Sequence, residues 1–442
     1  MRTRLHDLAE SLRASFWFLP VLMTVSAAAL AYITLNIDDE FSGTVGGLLY
    51  NGGPDGARVL LSTVSASMVT VAATVFSITI VAMTLASQQF GPRMLTNFVR
   101  DRGNQATIGT FLAVFLYAVL VQRQVRMSPG RVPNISVSLA MVFAVAAVLV
   151  LIYFIHHIAT SIQVMSLTRT ISRDLHYRAT RLFPNLDEFP EARPSDPDLF
   201  NPQGKEWHAR PGYPGYVQSI DVERLLAIAA KHDLLLRLET RPGKFAVAST
   251  PLVTVWRRDG SGEDVGTDLL QDIVRAFRLG SRREHGQDAE FPMAQLTEVA
   301  VRALSPSLND PFTGCACVNH LAAGLCDIAG EEMPPRALAD SDGTTRLLMG
   351  APITFHRLVR EAYDPIRQSA DYHVMVYLRL LEALTEIVLS AATADQYDAL
   401  HEQADLVRER AGQVVPQQGD RQDVEARYEK FRDVLAAARV PG

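Results

Sequence analysis

From Val59 to Gln89 the chain carries no charged residue, yet hydroxyl groups recur along it (VLLSTVSASMVTVAATVFSITIVAMTLASQQ). An uncharged segment of that length can cross a bilayer, and no other feature of the sequence restricts the fold so tightly. At about 1.5 Å per residue its expected span, 59–87, would form a helix roughly 43 Å long, more than the hydrocarbon core requires, so it must tilt or protrude. Thr63, Ser67, Thr70, Thr74, Ser77, Thr84 and Gln88 step by three and four residues, interrupted at Val81. That spacing, a period of about 3.5 residues, places them on one stripe of the helix. Val, Ile, Leu, Met and Ala occupy the other faces.

Three more segments fit the same solvent, giving spans at about 15–37, 59–87, 106–121 and 135–158. The first follows an amphipathic start (MRTRLHDLAESLR), and its Ala27-Ala28-Ala29 run imitates a signal peptide. Its apolar run is longer than a signal-peptide core and further spans follow, so an uncleaved helix is expected. The third is short and contains Gly109, which suggests an earlier start. The expected fold is therefore α-helical and membrane-embedded over residues 1–165, with four transmembrane helices ahead of a cytoplasmic α+β, mostly helical region. Arg2, Arg4, Arg13, Arg93, Arg100, Arg102, Arg169, Arg173 and Arg178 flank one side, against Arg58, Arg123, Arg126 and Arg131 on the other. The imbalance puts both termini in the cytoplasm. The first outer loop is acidic and glycine-rich (Asp38, Asp39, Glu40, Gly46, Gly47, Gly52, Gly53, Asp55), either a solvated loop or a cation-concentrating mouth.

Beyond the fourth span a helical extension (166–182) carries Arg169, Arg173, Arg178 and Arg181, and a proline-rich linker (183–214) is expected to be extended and hydrated. A small α+β module follows at 215–258: a strand at Val217–Ile220, a helix capped by Asp221, and strands at 234–240, 245–248 and 252–256. Residues 259–442 read as a helical cytoplasmic domain. Within it SPSLNDPFTG is a helix junction in which Asp310 is an N-cap and Pro311 the first helical residue. Ser305, Asn309, Asp310 and Thr313 form a candidate corner there, explained by capping or by a ligand at the helix N-terminus.

A net charge of -6 argues against a nucleic-acid partner. Cys315, Cys317 and Cys326, an odd number outside any small secreted domain, read as reduced thiols. With His320 they invite a zinc reading, but no C-x-x-C pair exists and residues two apart on a helix diverge, so no metal is expected. His156 and His157 are adjacent, likewise diverge, and suit an interfacial pair with one ring packed and one solvated. No phosphate loop, H-E-x-x-H, G-x-S-x-G or strand-linked G-x-G-x-x-G occurs, and no span has a central ionisable residue. No catalytic residue and no cofactor are implied.

The joint after the second span reads QQFGPRMLTNFVRDRGNQATIGTF. Gly91-Pro92 ends or kinks the helix at the membrane surface. Pro92, Arg93, Arg100, Asp101, Arg102 and Asn104 form a candidate cytoplasmic joint, whose arginines either anchor to headgroups or, in an oligomer, ring a vestibule. Ser87, Gln89, Phe90, Pro92, Arg93, Arg100, Asp101, Arg102, Asn104, Gln105, Gly109, Thr110 and Phe111, with GYVQSID at 215–221 and RALSPSLNDPFTG at 302–314, carry a resemblance. In these runs the chain resembles the bacterial membrane-protein family of domain of unknown function 2254. Arg282-Arg283 and Gly314 depart from the family pattern. The resemblance implies a multi-span protein of the bacterial inner membrane with a cytoplasmic C-terminal region, and it implies no reaction.

Two functions fit the stripe. In a non-conducting sensor or scaffold it is a packed seam, since small and hydroxyl residues let membrane helices approach closely and can bond their own i−4 carbonyls. In an oligomeric, channel-like protein it lines a passive ion or solute pathway. The bilayer and further copies of the chain are the expected partners.

Overall fold

Uncharged sequence in a bilayer becomes helix because a helix satisfies its own backbone donors and acceptors. The computed structural model describes residues 17–40, 50–90, 101–127, 132–161, 164–179, 181–190, 192–284 and 286–439. It divides into two units, Met1–Leu167 and Thr168–Gly442. The first unit holds four long helices: α1 (Phe18–Glu40), α2 (Pro54–Phe90), α3 (Arg102–Met127) and α4 (Asn134–Ser161).

α3 is the hub of this unit and packs on α1, α2 and α4. Of its most apolar stretch 56% is buried, against 28% or less for the other three helices. Near one end of the unit Ala31, Leu61, Tyr117, Val121 and Val137 close a core, and near the other Val75, Phe111, Val114, Ala147 and Phe154 close a second. Gly109, which made the third span look short, is a point of close approach: a Cβ there would meet the Pro20 Cα at 3.1 Å. The helix begins at Arg102, ahead of the expected boundary, because Asp101 caps it.

The second unit begins within α5 (Val164–Ala179). It continues through β1 (Arg193–Ser195), β2 (Glu206–Ala209), β3 (Gly215–Ile220), α6 (Val222–His232), β4 (Leu234–Leu238), β5 (Phe245–Ala246), β6 (Val253–Arg257), α7 (Thr267–Val274) and β7 (Phe277–Gly280). α8 (Glu290–Ala303), α9 (Pro311–Ala329), β8 (Ala337–Ala339), β9 (Thr345–Met349), α10 (Phe355–Ser369), α11 (Val374–Val388), α12 (Ala394–Val414) and α13 (Gln418–Arg439) complete it. A six-stranded sheet runs β1-β8-β9-β4-β6-β2 and a three-stranded one β5-β3-β7. All pairings are antiparallel except β4 with β9.

Three expectations need correction. Residues 183–214 are not a bare hydrated linker: β1 and β2 form the two edges of the larger sheet, and Phe183, Phe189, Phe200 and Trp207 are buried. Prolines are compatible with edge strands, which leave backbone donors unpaired, and the aromatics between them supply the burial. The stretch 215–258 is not a module by itself, because β4 is flanked by β9, from beyond residue 340. The 259–442 region is correspondingly not purely helical; it supplies β7, β8 and β9. The run after Thr267 stops being helical at Val274, and Phe277–Gly280 crosses to pair with β3.

Five described helices are long and apolar enough to cross a membrane, the fifth being α9. α9 packs within the second unit against α8, α10 and α11. It also receives α5, whose Thr168, Ile171, Leu175 and Ala179 form a buried stripe. A Cβ at Gly324 would fall 2.4 Å from the Leu175 Cδ2 and 2.6 Å from its Cγ. Gly324→Val is therefore expected to lift α5 from α9 at about 1–3 kcal/mol. Trypsin should then cut after Arg173 and Arg178 faster in the variant, and unchanged cleavage would contradict this packing.

Candidate functional site

The stripe on α2 does not face its own bundle. Ala57, Leu61, Ser65, Met68, Ala72, Val75, Thr79 and Ala82 form the buried face, while Thr63, Ser67, Thr70, Thr74, Ser77 and Thr84 are exposed. Gln88 is helical, but its side chain lies outside the described residues. Because both series advance at nearly the helical repeat, burying one set on α3 and α4 turns the other outward. Val69, Phe76, Ile80 and Val81 are exposed beside the stripe.

The exposed threonine hydroxyls are already bonded within their own helix. Thr63 donates to the Val59 carbonyl at 2.8 Å, Thr70 to Ala66 at 3.0 Å, Thr74 to Thr70 at 3.0 Å and Thr84 to Ile80 at 2.9 Å. What they offer outward is acceptor lone pairs, methyl groups and small size. That chemistry suits close packing better than the replacement of an ion's hydration shell by fixed dipoles.

At one end of the bundle the carboxylate of Asp38 is part of the architecture. Its oxygens accept from the Ile135 and Ser136 backbone N–H groups, both at 2.9 Å, and from the Ser136 hydroxyl at 2.6 Å. A carboxylate there satisfies the first donors of α4 and complements its dipole. Of the two readings of this acidic loop, the cation-concentrating mouth loses Asp38, while the side chains of Asp39 and Glu40 and the pair Gly46-Gly47 lie outside the described residues. Arg58 donates to the Val125 carbonyl at 3.4 Å at the same end of α3. Below this rim the Tyr117 hydroxyl lies 3.0 Å from that of Thr34 and donates to the Ser136 carbonyl at 3.2 Å.

The opposite end of α3 carries the joint. Pro92, Arg93 and Arg100 lie outside the described residues, whereas Asp101, Arg102 and Asn104 are described. Asp101 accepts from the Gly103 N–H at 2.7 Å, and its other oxygen lies 2.8 Å from the His157 Nε2 on α4. Gly103 permits this approach: a Cβ would stand 2.8 Å from that nitrogen. The His157 ring stacks on Tyr153 at 5.5 Å, and His156 is exposed. Asn104 is fully buried, with no hydrogen-bond partner for either side-chain polar atom among the described residues, and Arg102 is exposed. The two rings diverge as their adjacency implied, with His156 exposed and His157 packed on Tyr153; the sequence did not show that His157 meets the carboxylate that caps α3.

The corner at Ser305, Asn309, Asp310 and Thr313 is closed on itself. Asp310 accepts from the Thr313 N–H at 3.1 Å and from its hydroxyl at 2.6 Å, while Ser305 donates to the Arg302 carbonyl at 2.6 Å. Asn309 takes a left-handed conformation, φ 49°. The cysteines are free thiols, and burial pushes Cys317 up to about 12. No group of metal-ligating side chains occurs among the described residues.

Sequence reasoning passed over the densest charged cluster. Glu290, at the start of α8, is only 4% exposed and meets Arg241 at 2.7 Å, Lys244 at 3.2 Å and Arg357 at 3.4 Å. Asp288, also buried, pairs with Arg283 at 2.7 Å. The signal was present in Arg241-Pro242-Gly243-Lys244, a turn with two cations, but its acidic partners lie more than forty residues away. The cluster ties that turn to α8 and α10.

A family profile described as "Predicted membrane protein (DUF2254)" matches residues 13–386. Proteins of Mycobacterium bovis and Mycobacterium tuberculosis, each named as uncharacterised, are 29% identical over 432 residues, covering 95% of this chain and 81% of theirs. No solved structure matches the chain.

Proposed function

The chain belongs to the predicted membrane protein family of domain of unknown function 2254, and from that premise we propose that it is a non-conducting membrane scaffold or sensor that self-associates along the exposed stripe of α2. In this reading the four helices of the first unit span the bacterial inner membrane with both termini in the cytoplasm, where the α/β unit resides. The observation that carries it is the outward orientation of Thr63, Ser67, Thr70, Thr74, Ser77 and Thr84, on a helix whose opposite face is already buried. That orientation favours a seam between copies over one within a single chain.

Internal bonding of the threonine hydroxyls supports contact over conduction, because the stripe can enter lipid or protein without orphaned donors. Helix contacts of this kind contribute on the order of 1 kcal/mol per hydrogen bond or less, so shape and small size would supply most of the association. The channel reading shares the same observation, with the stripe turned toward a water-filled axis between copies.

Single cysteines placed from Thr63 to Thr84 in a background lacking Cys315, Cys317 and Cys326 distinguish the two. Oxidation is expected to cross-link copies at Ser67, Thr70, Thr74 and Ser77, with little cross-linking at Val69 and Phe76. Absence of that periodicity would sink the seam. Labelling of the same positions by a membrane-impermeant thiol reagent, together with current across a planar bilayer, would favour the channel.

A further inference from the structure

The charge on α5 is one-sided. Its buried Leu175 packs at Gly324 of α9, and Arg169, Arg173, His176 and Tyr177 are exposed. Three arginines face a single acidic residue on this helix, Asp174, which Arg178 already engages at 3.0 Å. Arg178 also donates to the Gly286 carbonyl at 2.5 Å, and His176 is held by Asp327 of α9 at 2.7 Å. Arg169 and Arg173 make no ion pair among the described residues. Tyr177 is 58% exposed, and the Arg181 guanidinium carbon sits 3.9 Å over its ring.

Chain connectivity fixes where these cations can be. Arg169 lies eight residues beyond Ser161, where α4 ends. Even fully extended, that tether holds Arg169 within about 28 Å of the end of an apolar helix. Exposed arginines without acidic partners, next to an amphipathic aromatic ring and tethered to a membrane helix, complement an anionic lipid surface.

We propose that the exposed face of α5, through Arg169 and Arg173 and flanked by Tyr177, is a docking surface for anionic lipid headgroups. The proposal rests on α4 being embedded in the membrane and is independent of the α2 seam. It assigns α5 two opposed contacts, with lipid on one side and α9 on the other. Headgroup charge would then bear directly on how firmly α5 is held.

The test titrates phosphatidylglycerol into the detergent-solubilised full chain and follows bound lipid by native mass spectrometry. Each arginine near an anionic surface contributes a factor of about five, so R169Q/R173Q is expected to weaken binding ~25-fold. R169K/R173K should restore it, and R224Q, at an exposed arginine on α6, should leave it unchanged. Phosphatidylcholine should not substitute, and inorganic phosphate should not compete. Equal affinity of R169Q/R173Q and the parent chain would overturn the proposal. So would equal binding of phosphatidylcholine, failure of the lysine variant to restore binding, displacement by inorganic phosphate, or a comparable loss in R224Q.

Discussion

Glu290→Ala is expected to destabilise the second unit by about 3–5 kcal/mol, the range for removing one partner of a buried ion pair. The carboxylate is 4% exposed and the Arg241 side chain 5%, so water cannot take over the orphaned guanidinium. Among the described residues, the Arg241 side chain would retain only its bond to the Ala351 carbonyl at 3.2 Å. Glu290→Gln keeps the shape and one acceptor, and should lose less. Burial alone would raise the pKa of Glu290, but Arg241 and then Lys244 outweigh it and bring it to about 2. A carboxyl depressed on folding contributes its stability above its unfolded value, near 4.5, and that contribution is lost as pH falls toward 2. Asp288 works the other way: burial raises its pKa despite Arg283, so acid relieves the burial of its charge. Between pH 5 and 2 the parent chain should therefore lose stability while Glu290→Gln changes less. Urea titration followed by the buried Trp207 and Trp256 of the sheet checks both points. Matching midpoints at neutral pH would remove Glu290 from the framework.

Asp38→Ala is expected to loosen the first unit by about 2–4 kcal/mol, because each donor left unsatisfied in a partly buried site costs on the order of 1–3 kcal/mol. Three donors lose their acceptor together: the Ile135 N–H, the Ser136 N–H and the Ser136 hydroxyl. Helix α4 also loses a negative charge at the positive end of its dipole. Asp38→Asn retains an acceptor and should fall between the two. Amide exchange at Ile135 and Ser136 should accelerate first, before exchange in the middle of α4. Unaltered exchange at those two amides would show that other groups satisfy them. Were Asp38 merely part of an acidic vestibule, its removal would leave α4 untouched.

These two residues mark how far the sequence could be read. Helices were legible wherever charge was absent over a membrane-length stretch, and wherever a cap declared itself, as Asp221 does for α6 and Asp310 for α9. Such signals are local, because a cap and the donor it satisfies lie within four residues. Asp38 is also a helix cap, but of a helix that starts almost a hundred residues later, so it read as one member of an acidic loop. The pairing of β4 with β9 and the contacts of Glu290 were hidden for the same reason. The stripe on α2 was visible in full as a period, yet its facing was not. Direction depends on which side α3 covers, and Met68, Ala72 and Val75 are hardly more apolar than Val69 and Phe76 on the exposed side.

The position of α3 at the centre of the bundle carries a consequence for biogenesis. In the proposed membrane arrangement a ribosome delivers α1 and α2 to the bilayer before the helix on which both pack has been made. Thr34 waits for Tyr117, and Asp38 for Ser136, at sequence separations of 83 and 98 residues. Until α4 emerges, that carboxylate lacks the Ile135 and Ser136 donors that engage it in the folded chain. The bundle thus closes late, around a third helix inserted between two that were already there. Premature release after α2 would leave a hairpin with an unfilled apolar face and a bare hydroxyl stripe, a product for membrane quality control to remove.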